Sequence, residues 1–122
     1  MRYLSFVRSA ETFRNTPQPA ALQEAMGELI EKFTREGALV DTGGLAPSAA
    51  GFRLRLENGQ LTATDGPFTE SREIIGGWAI LEAASKEEIV RLATEFMELH
   101  RQHWPGFEGE CEVRPIDFTM RP

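Results

Sequence analysis

Three polar side chains, Asp65, His100 and His103, are the residues of this sequence best suited to acid–base chemistry. Asp65 begins the stretch Asp-Gly-Pro-Phe, in which Gly-Pro directly after an acid predicts a tight turn. The two histidines are the only ones in the chain, and imidazole titrates near neutral pH, which suits proton transfer. The sequence therefore offers one carboxylate and two imidazoles for a candidate catalytic site.

Asp65 ends a predicted β-hairpin whose register follows from its turn. Residues 52–57 alternate apolar and polar side chains, Asn58-Gly59 is a strong signal for a two-residue turn, and residues 60–65 form the returning strand. Such a turn pairs Phe52 with Asp65, and directly opposite residues share a face of the hairpin. The pattern therefore predicts that Asp65 lies on the apolar face of the hairpin, at the margin of the core.

The histidines continue the apolar stripe of a helix predicted over residues 85–104. The stripe has the spacing of one helix face and consists of Ile89, Leu92, Ala93, Phe96 and Leu99. His100 and His103 extend it, so both are predicted to face inward. Two histidines one turn apart can share a metal ion, but a zinc site needs a third or fourth ligand, and neither a metal nor another cofactor is expected.

Each of these residues also has a structural interpretation. Asp65 is either a general base with a raised pKa or a cap that accepts hydrogen bonds from the amides of its own loop. The histidines are either its acid–base partners or amphipathic residues that finish a helix. Candidate pocket-lining residues are Phe68, Arg72, Trp78 and Trp104, although large aromatic residues are more often core or interface anchors.

The order of elements predicts a single domain over residues 1–122 with an α+β fold. Strands are predicted over residues 2–8, 38–42, 74–82 and 110–114 around the hairpin, helices over 19–36 and 85–104, a loop over 9–19 and a tail over 116–122. The order β-α-β-hairpin-β-α-β predicts a ferredoxin-like sandwich with both helices on one face of a largely antiparallel sheet. Since the strands are apolar on both faces, we expect a homodimer that stacks sheet on sheet.

Composition and charge exclude several classes of function. The net charge is −6, with 13 basic residues scattered among 19 acidic ones, which argues against a nucleic-acid-binding surface. The single cysteine, Cys111, excludes an intramolecular disulfide and a multi-cysteine zinc site. Because no stretch approaches 18 apolar residues, we expect no membrane partner and a cytoplasmic location.

The chain resembles the YCII-related family, in the branch named for the Asp-Gly-Pro-Phe motif. The resemblance is carried by Thr64–Glu73, the Asn-Gly hairpin, Gly37-Ala-Leu-Val, Gly43-Gly-Leu, Gly76-Gly-Trp and Glu112-Val-Arg-Pro. It implies a dimeric α+β barrel of ferredoxin-like subunits and a proposed enzymatic role for an Asp and a His. The Asp maps onto Asp65. The N-terminal half has no histidine where the family's proposed one lies, so His100 and His103 would have to replace it.

Two hypotheses for the function follow. In the first, the protein is a small dimeric enzyme that acts on a small organic molecule, with Asp65 and either His100 or His103 as an acid–base pair. In the second, it is a non-catalytic ligand-binding or regulatory module. The resemblance implies a setting for the second, because proteins of this kind occur alongside extracytoplasmic-function sigma factors.

Overall fold

The computed structural model describes residues 1–69 and 71–116, and only the backbone of residues 14 and 15. Its helices and strands are β1 (Arg2–Ser9), α1 (Glu11–Asn15), α2 (Ala20–Arg35), β2 (Leu39–Gly44), a 3-10 turn (Ser48–Ala50), β3 (Phe52–Glu57), β4 (Gln60–Asp65), β5 (Ile74–Glu82), α3 (Lys86–His103) and β6 (Gly109–Pro115). Beyond residue 116, the predicted tail lies outside the described residues.

The main sheet has four strands in the order β2-β5-β1-β6, and each neighbouring pair is antiparallel. Without the hairpin, the chain follows the β-α-β-β-α-β order of a ferredoxin-like subunit. The predicted fold class is therefore confirmed. β3 and β4 form a second, two-stranded sheet, inserted in the chain between β2 and β5.

Local signals fix the start of α3 and the end of α2. The Ser85 side chain accepts a hydrogen bond from the Glu88 amide at 3.1 Å, and the Glu88 carboxylate accepts one from the Ala84 amide at 3.0 Å. This reciprocal arrangement satisfies amides at the start of α3 that have no partner within the helix. At the C-terminal end of α2, Gly37 adopts a φ of 74°, a conformation that glycine accepts readily and that ends the helix.

The core lies between the two long helices and one face of the main sheet. Its buried residues are Leu29, Phe33, Ala38, Leu81, Ala83, Ile89 and Leu92, with Tyr3, Ala79 and Val113 packed against them. The strand register places Tyr3 opposite Leu81 and Val113 opposite Ser5, so these side chains share the helix-covered face. This apolar burial holds the helices on the sheet.

The other face of the main sheet, which we call the open face, has no helix over it in the described chain. The pairing of β1 with β5 shows which apolar side chains share this face: Leu4, Phe6, Ile75, Trp78 and Ile80. Leu4 and Ile75 are 37% and 40% exposed. A contiguous apolar sheet face of this kind usually binds another surface.

A β-bulge accommodates the glycine pair of β5. The register of β1 against β5 shifts between Val7 and Arg8, so that Val7 faces Gly77 and Arg8 faces Ile75. Gly76 is thus the extra residue, and its carbonyl accepts a hydrogen bond from the Leu45 amide at 2.9 Å. The bulge therefore lies at the first glycine of the Gly76-Gly77 pair.

Residues 9–19, predicted to be a loop, contain the short helix α1. Two of its side chains make the tertiary contacts that explain it. Phe13 packs with ring centroids 5.8 Å from Trp104 and 5.1 Å from Phe107, and Glu11 accepts hydrogen bonds from Ser48. Tertiary packing therefore stabilises a helical turn that its short sequence does not predict.

Within the described residues, no helix combines the length and the apolar character needed to cross a membrane.

Candidate functional site

A cavity of about 450 Å³ lies between the helix layer and the covered face of the sheet. Its floor is formed by alternate residues of β1, namely Ser5, Val7 and Ser9, and by Gly77, Ala79 and Leu81 of β5. One wall comes from α2, including Met26, Gly27, Ile30 and Phe33. This volume falls in the range of small-molecule sites in proteins.

Five rings close one end of the cavity, and we call them the aromatic end: Phe13, Phe96, His100, Trp104 and Phe107. The His100 ring centroid lies 4.8 Å from that of Phe96 and 5.0 Å from that of Phe107. The ring of Trp104 lies 5.0 Å from that of Phe107. These separations and the tilted or edge-on geometry are those of favourable aromatic pairs, so the five rings support one another.

His100 is the titratable side chain of this end, and it is only 6% exposed. Its Nδ1 lies 3.2 Å from the Phe96 carbonyl oxygen, one turn back along α3. A carbonyl only accepts hydrogen bonds, so Nδ1 carries the proton and Nε2 carries the lone pair. Burial lowers the pKa of His100, against a smaller opposing effect of the Phe96 hydrogen bond, and the ring is therefore neutral at pH 7.

The remaining polar groups of the cavity are uncharged. Ser5 and Ser9 are buried, and Thr42, Gln18 and Gln23 also contribute. The Ser5 hydroxyl lies 3.2 Å from the Cys111 sulfur, and burial raises the pKa of that thiol. Cys111 therefore stays protonated at neutral pH and is a poor nucleophile.

Asp65 does not lie in this cavity. The predicted register is correct, with Asp65 opposite Phe52, but the prediction that it sits at the margin of the core is wrong, because its side chain is exposed. The apolar face of the hairpin is itself exposed, with Phe52 at 64%, Leu56 at 70% and Leu61 at 72%. In the described chain the hairpin projects from the sheet, so its apolar face and Asp65 meet solvent.

The rest of the Asp-Gly-Pro-Phe motif holds the base of the hairpin. The Phe68 amide donates to the Ser48 hydroxyl at 3.0 Å, and that hydroxyl donates to the Glu11 carboxylate. The Ser48 amide donates to the same carboxylate at 3.0 Å, and the Gly66 amide donates to the Gly51 carbonyl at 2.9 Å. The motif thus ties three segments together: α1, the 3-10 turn and the end of β4.

Phe68 and Arg72, proposed as pocket-lining residues, are absent from the described lining of the cavity. Instead, the Arg53 guanidinium lies over the Phe68 ring in a cation–π contact, with its Cζ 3.8 Å from the ring centroid. Arg53 also donates to the Ser71 hydroxyl at 3.0 Å. These contacts fix the loop that follows the motif.

Trp78 and Trp104 are both among the residues that line the cavity, although the pairing of Trp78 with Phe6 places its side chain on the open face. The Trp78 ring packs against β2 at Gly43, where a β-carbon would come within 2.9 Å of its Nε1. Its carbonyl accepts a hydrogen bond from the Thr42 hydroxyl at 2.8 Å. Glycine at position 43 therefore leaves the space that the indole occupies.

His103 is half-buried and is not among the described lining residues. It is the last residue of α3, where the helix gives way to Trp104. In the described part of the chain, no three His, Cys, Asp or Glu side chains form a group that could hold a metal ion. Of the two histidines, the structure brings only His100 into the cavity.

Sequence reasoning missed two rings of the aromatic end, Phe13 and Phe107. Phe13 lies between a strand and two prolines, and Phe107 follows Pro105-Gly106, so neither belongs to a periodic apolar pattern. One signal was present. Each is a large apolar residue in a short segment otherwise rich in polar residues, prolines and glycines.

The lowered pKa of His100 predicts a specific dependence of stability on pH. An unfolded histidine titrates near about 6.5, whereas the buried ring resists protonation. Below about pH 6.5 the unfolded state therefore binds a proton that the folded state does not. We expect the free energy of unfolding to fall as the pH drops from there toward the folded pKa, as measured by urea denaturation.

A His100→Phe variant should lose this contribution to the slope of unfolding free energy against pH. The contributions of the carboxylates should remain. The same change at His103, which lies outside the cavity, is the matched control and should keep the wild-type slope. Equal slopes for wild type and His100→Phe would contradict the prediction.

The chain is similar to known proteins in sequence. The sequence model of the YCII-related domain matches residues 1–98. An uncharacterised protein of Rhizobium meliloti (strain 1021) is 29% identical over 85 residues, which are 70% of this chain and 64% of that protein. The chain therefore spans less than two thirds of the length of this relative. A de novo designed protein, Foldit4, superposes with a TM-score of 0.44 at 14% identity, over 96% of this chain and 100% of that one.

Proposed function

The chain belongs to the YCII-related domain family, and we propose that it is a homodimeric protein that binds a small organic molecule in the cavity between its helices and its sheet. The observation that carries this proposal is the cavity itself, about 450 Å³ in volume, apolar in most of its lining and bounded at one end by His100. Apolar cavities with a few convergent polar groups are the usual form of small-molecule sites.

Gly27 offers a direct test, because it lines the cavity from the middle of α2 and is exposed at its mouth. A β-carbon built on Gly27 meets no atom within 4 Å, so a larger side chain has room. We expect Gly27→Trp to abolish binding of small organic molecules that bind to the wild type, as measured by ligand-observed NMR with a fragment library. Replacing a mid-helix glycine also removes a helix penalty of about 0.5–1 kcal/mol.

Gly27→Ala is the matched control, since it also replaces the mid-helix glycine but does not fill the mouth of the cavity. It should retain every ligand of the wild type. Loss of binding in both variants, or retention in both, would contradict the proposed location of the site.

The open face and the hairpin support the homodimer. Besides its apolar side chains, the open face carries Arg8, whose guanidinium lies 2.9 Å from Glu110 and 2.8 Å from Glu112. The four strands have six to nine residues each. At about 3.4 Å per residue and 4.8 Å between strands, they cover roughly 500 Å².

A stable interface buries about 800 Å² of surface on each partner, so the open face alone is small for the purpose. The hairpin adds roughly 200 Å² by the same reckoning, and its apolar face is exposed. An isolated two-stranded hairpin is at best marginally stable in water, which also favours contact with another surface. We therefore place both surfaces in the dimer interface.

A second candidate function is acid–base catalysis at the same cavity, and one observation favours it. The neutral His100 ring has its Nε2 lone pair free of any partner among the described residues, as a general base requires. In this scheme Asp65 would act only across an assembly, because it is exposed at the base of the hairpin. Titration of both imidazoles by NMR in wild type and Asp65→Asn tests the pairing: an unchanged His100 titration would remove Asp65 from it.

A further inference from the structure

The lining of the cavity restricts the charge of its ligand. Among the described residues that form it, none is Lys, Arg, Asp or Glu. The polar side chains there are serines, a threonine and glutamines, together with His100 and Trp104. A charged molecule would lose its hydration in this cavity without gaining an ion-pair partner, which is strongly unfavourable. The cavity therefore selects an uncharged ligand.

His100 restricts the polar groups of that ligand. Its Nδ1 donates to the Phe96 carbonyl, which leaves Nε2 as a hydrogen-bond acceptor. Nε2 has no partner among the described residues, although the ring is buried and lines the cavity. Nε2 is not among the described buried atoms that lack a partner, so it is open to the cavity, and a ligand that brings a donor can bond to it in place of water.

The aromatic end restricts the shape. Phe96 and Phe107 flank His100, with interplanar angles of 64° and 41° to its ring. Phe13 meets Trp104 edge-on at 87°. The rings of this end are thus presented at different angles, and a flat ring bound among them can stack on one and meet the edge of another.

We propose that the ligand is an uncharged aromatic molecule with a hydroxyl or ring N–H donor, bound with this donor on Nε2 of His100 and with its ring among Phe13, Phe96, Trp104 and Phe107. This assignment rests on the proposed binding function and adds the chemical class of the ligand to it. A carboxylate or an alkylammonium ion of the same shape would be rejected for its charge, and a hydrocarbon would bring no donor to Nε2.

Three naphthalene probes of similar size separate these requirements. 2-Naphthol is uncharged and has a donor, 2-methylnaphthalene has a methyl group in place of the hydroxyl, and 2-naphthoate is an anion at pH 7. We expect titration calorimetry on the full chain to detect binding of 2-naphthol and none of 2-naphthoate. In His100→Phe, the affinity of 2-naphthol relative to 2-methylnaphthalene should fall by roughly tenfold, the effect of one hydrogen bond.

The outcomes are distinguishable. Equal affinity of all three probes, or tightest binding of 2-naphthoate, would overturn this inference while leaving the cavity as a binding site. Absence of binding by all three would overturn the inference and count against the proposed function as well. If His100→Phe does not fold, ¹⁵N NMR of the wild type tests the assignment instead. Addition of 2-naphthol should shift the Nε2 signal of His100 and leave that of His103 in place. An unmoved His100 signal would overturn the assignment.

Discussion

Gly66→Ala should lower the free energy of unfolding by about 3 kcal/mol, within the range of overpacking changes that a rigid site cannot absorb. A β-carbon at residue 66 would overlap the Ser48 carbonyl oxygen and come within 3.2 Å of the Ala49 amide nitrogen. Both are backbone atoms, so no side-chain rotation relieves the contact. The Ser48 side chain and amide are also bonded to Glu11, which keeps the 3-10 turn in place.

Urea denaturation of the wild type and the variant measures this effect. Gly51→Ala is the matched control, because Gly51 lies beside the same turn and a β-carbon there would be 3.7 Å from the same carbonyl oxygen, an ordinary contact. Its effect should stay within about 1 kcal/mol. Equal losses in the two variants would mean that the close approach at Gly66 is not what makes glycine necessary there.

Leu4→Asp should convert the proposed dimer to monomers. Leu4 lies on β1 in the open face and is 37% exposed in the single chain. In a two-fold dimer the change places two carboxylates in the interface, and their desolvation at roughly 4 kcal/mol in total raises the dissociation constant about a thousandfold. Analytical ultracentrifugation should give twice 13.7 kDa for the wild type and 13.7 kDa for the variant.

Val90→Asp is the control for this experiment, since it makes the same aliphatic-to-acid change at a 52% exposed position on α3, in the helix layer. It should sediment as the wild type does. Leu56→Asp on the hairpin tests whether that surface belongs to the interface, and we expect it to weaken the dimer too. A wild type that sediments at 13.7 kDa would refute the dimer, whereas a dimeric Leu56→Asp would exclude only the hairpin.

Features encoded by neighbouring residues were predictable from the sequence. Asn58-Gly59 set the hairpin register, the Ser85–Glu88 capping box set the start of α3, and helix periodicity placed His100 in the interior. In each case the signal and its structural consequence lie within one or two turns of the chain. The order of these elements was then sufficient to predict the ferredoxin-like topology.

Features that depend on distant contacts were not predictable in the same way. Register determines which hairpin residues share a face, but it does not determine what that face meets, and the inward position predicted for Asp65 was therefore wrong. The aromatic end depends on Phe13 and Phe107, whose segments meet only in the folded chain, 94 positions apart by the difference of their residue numbers. No local pattern relates two such residues.

Because its base is closed by a hydrogen bond, the hairpin of residues 51–66 is a self-contained insertion between β2 and β5. Its two ends are joined by the hydrogen bond from the Gly66 amide to the Gly51 carbonyl, and Phe68 is bonded to Ser48 just outside it. Because the ends stay together, lengthening the tip at Asn58-Gly59 adds little loop-closure entropy and leaves the main sheet unchanged. The hairpin is thus a place where evolution, or a protein engineer inserting a tag or an epitope, can alter the outline of this domain without rebuilding its core.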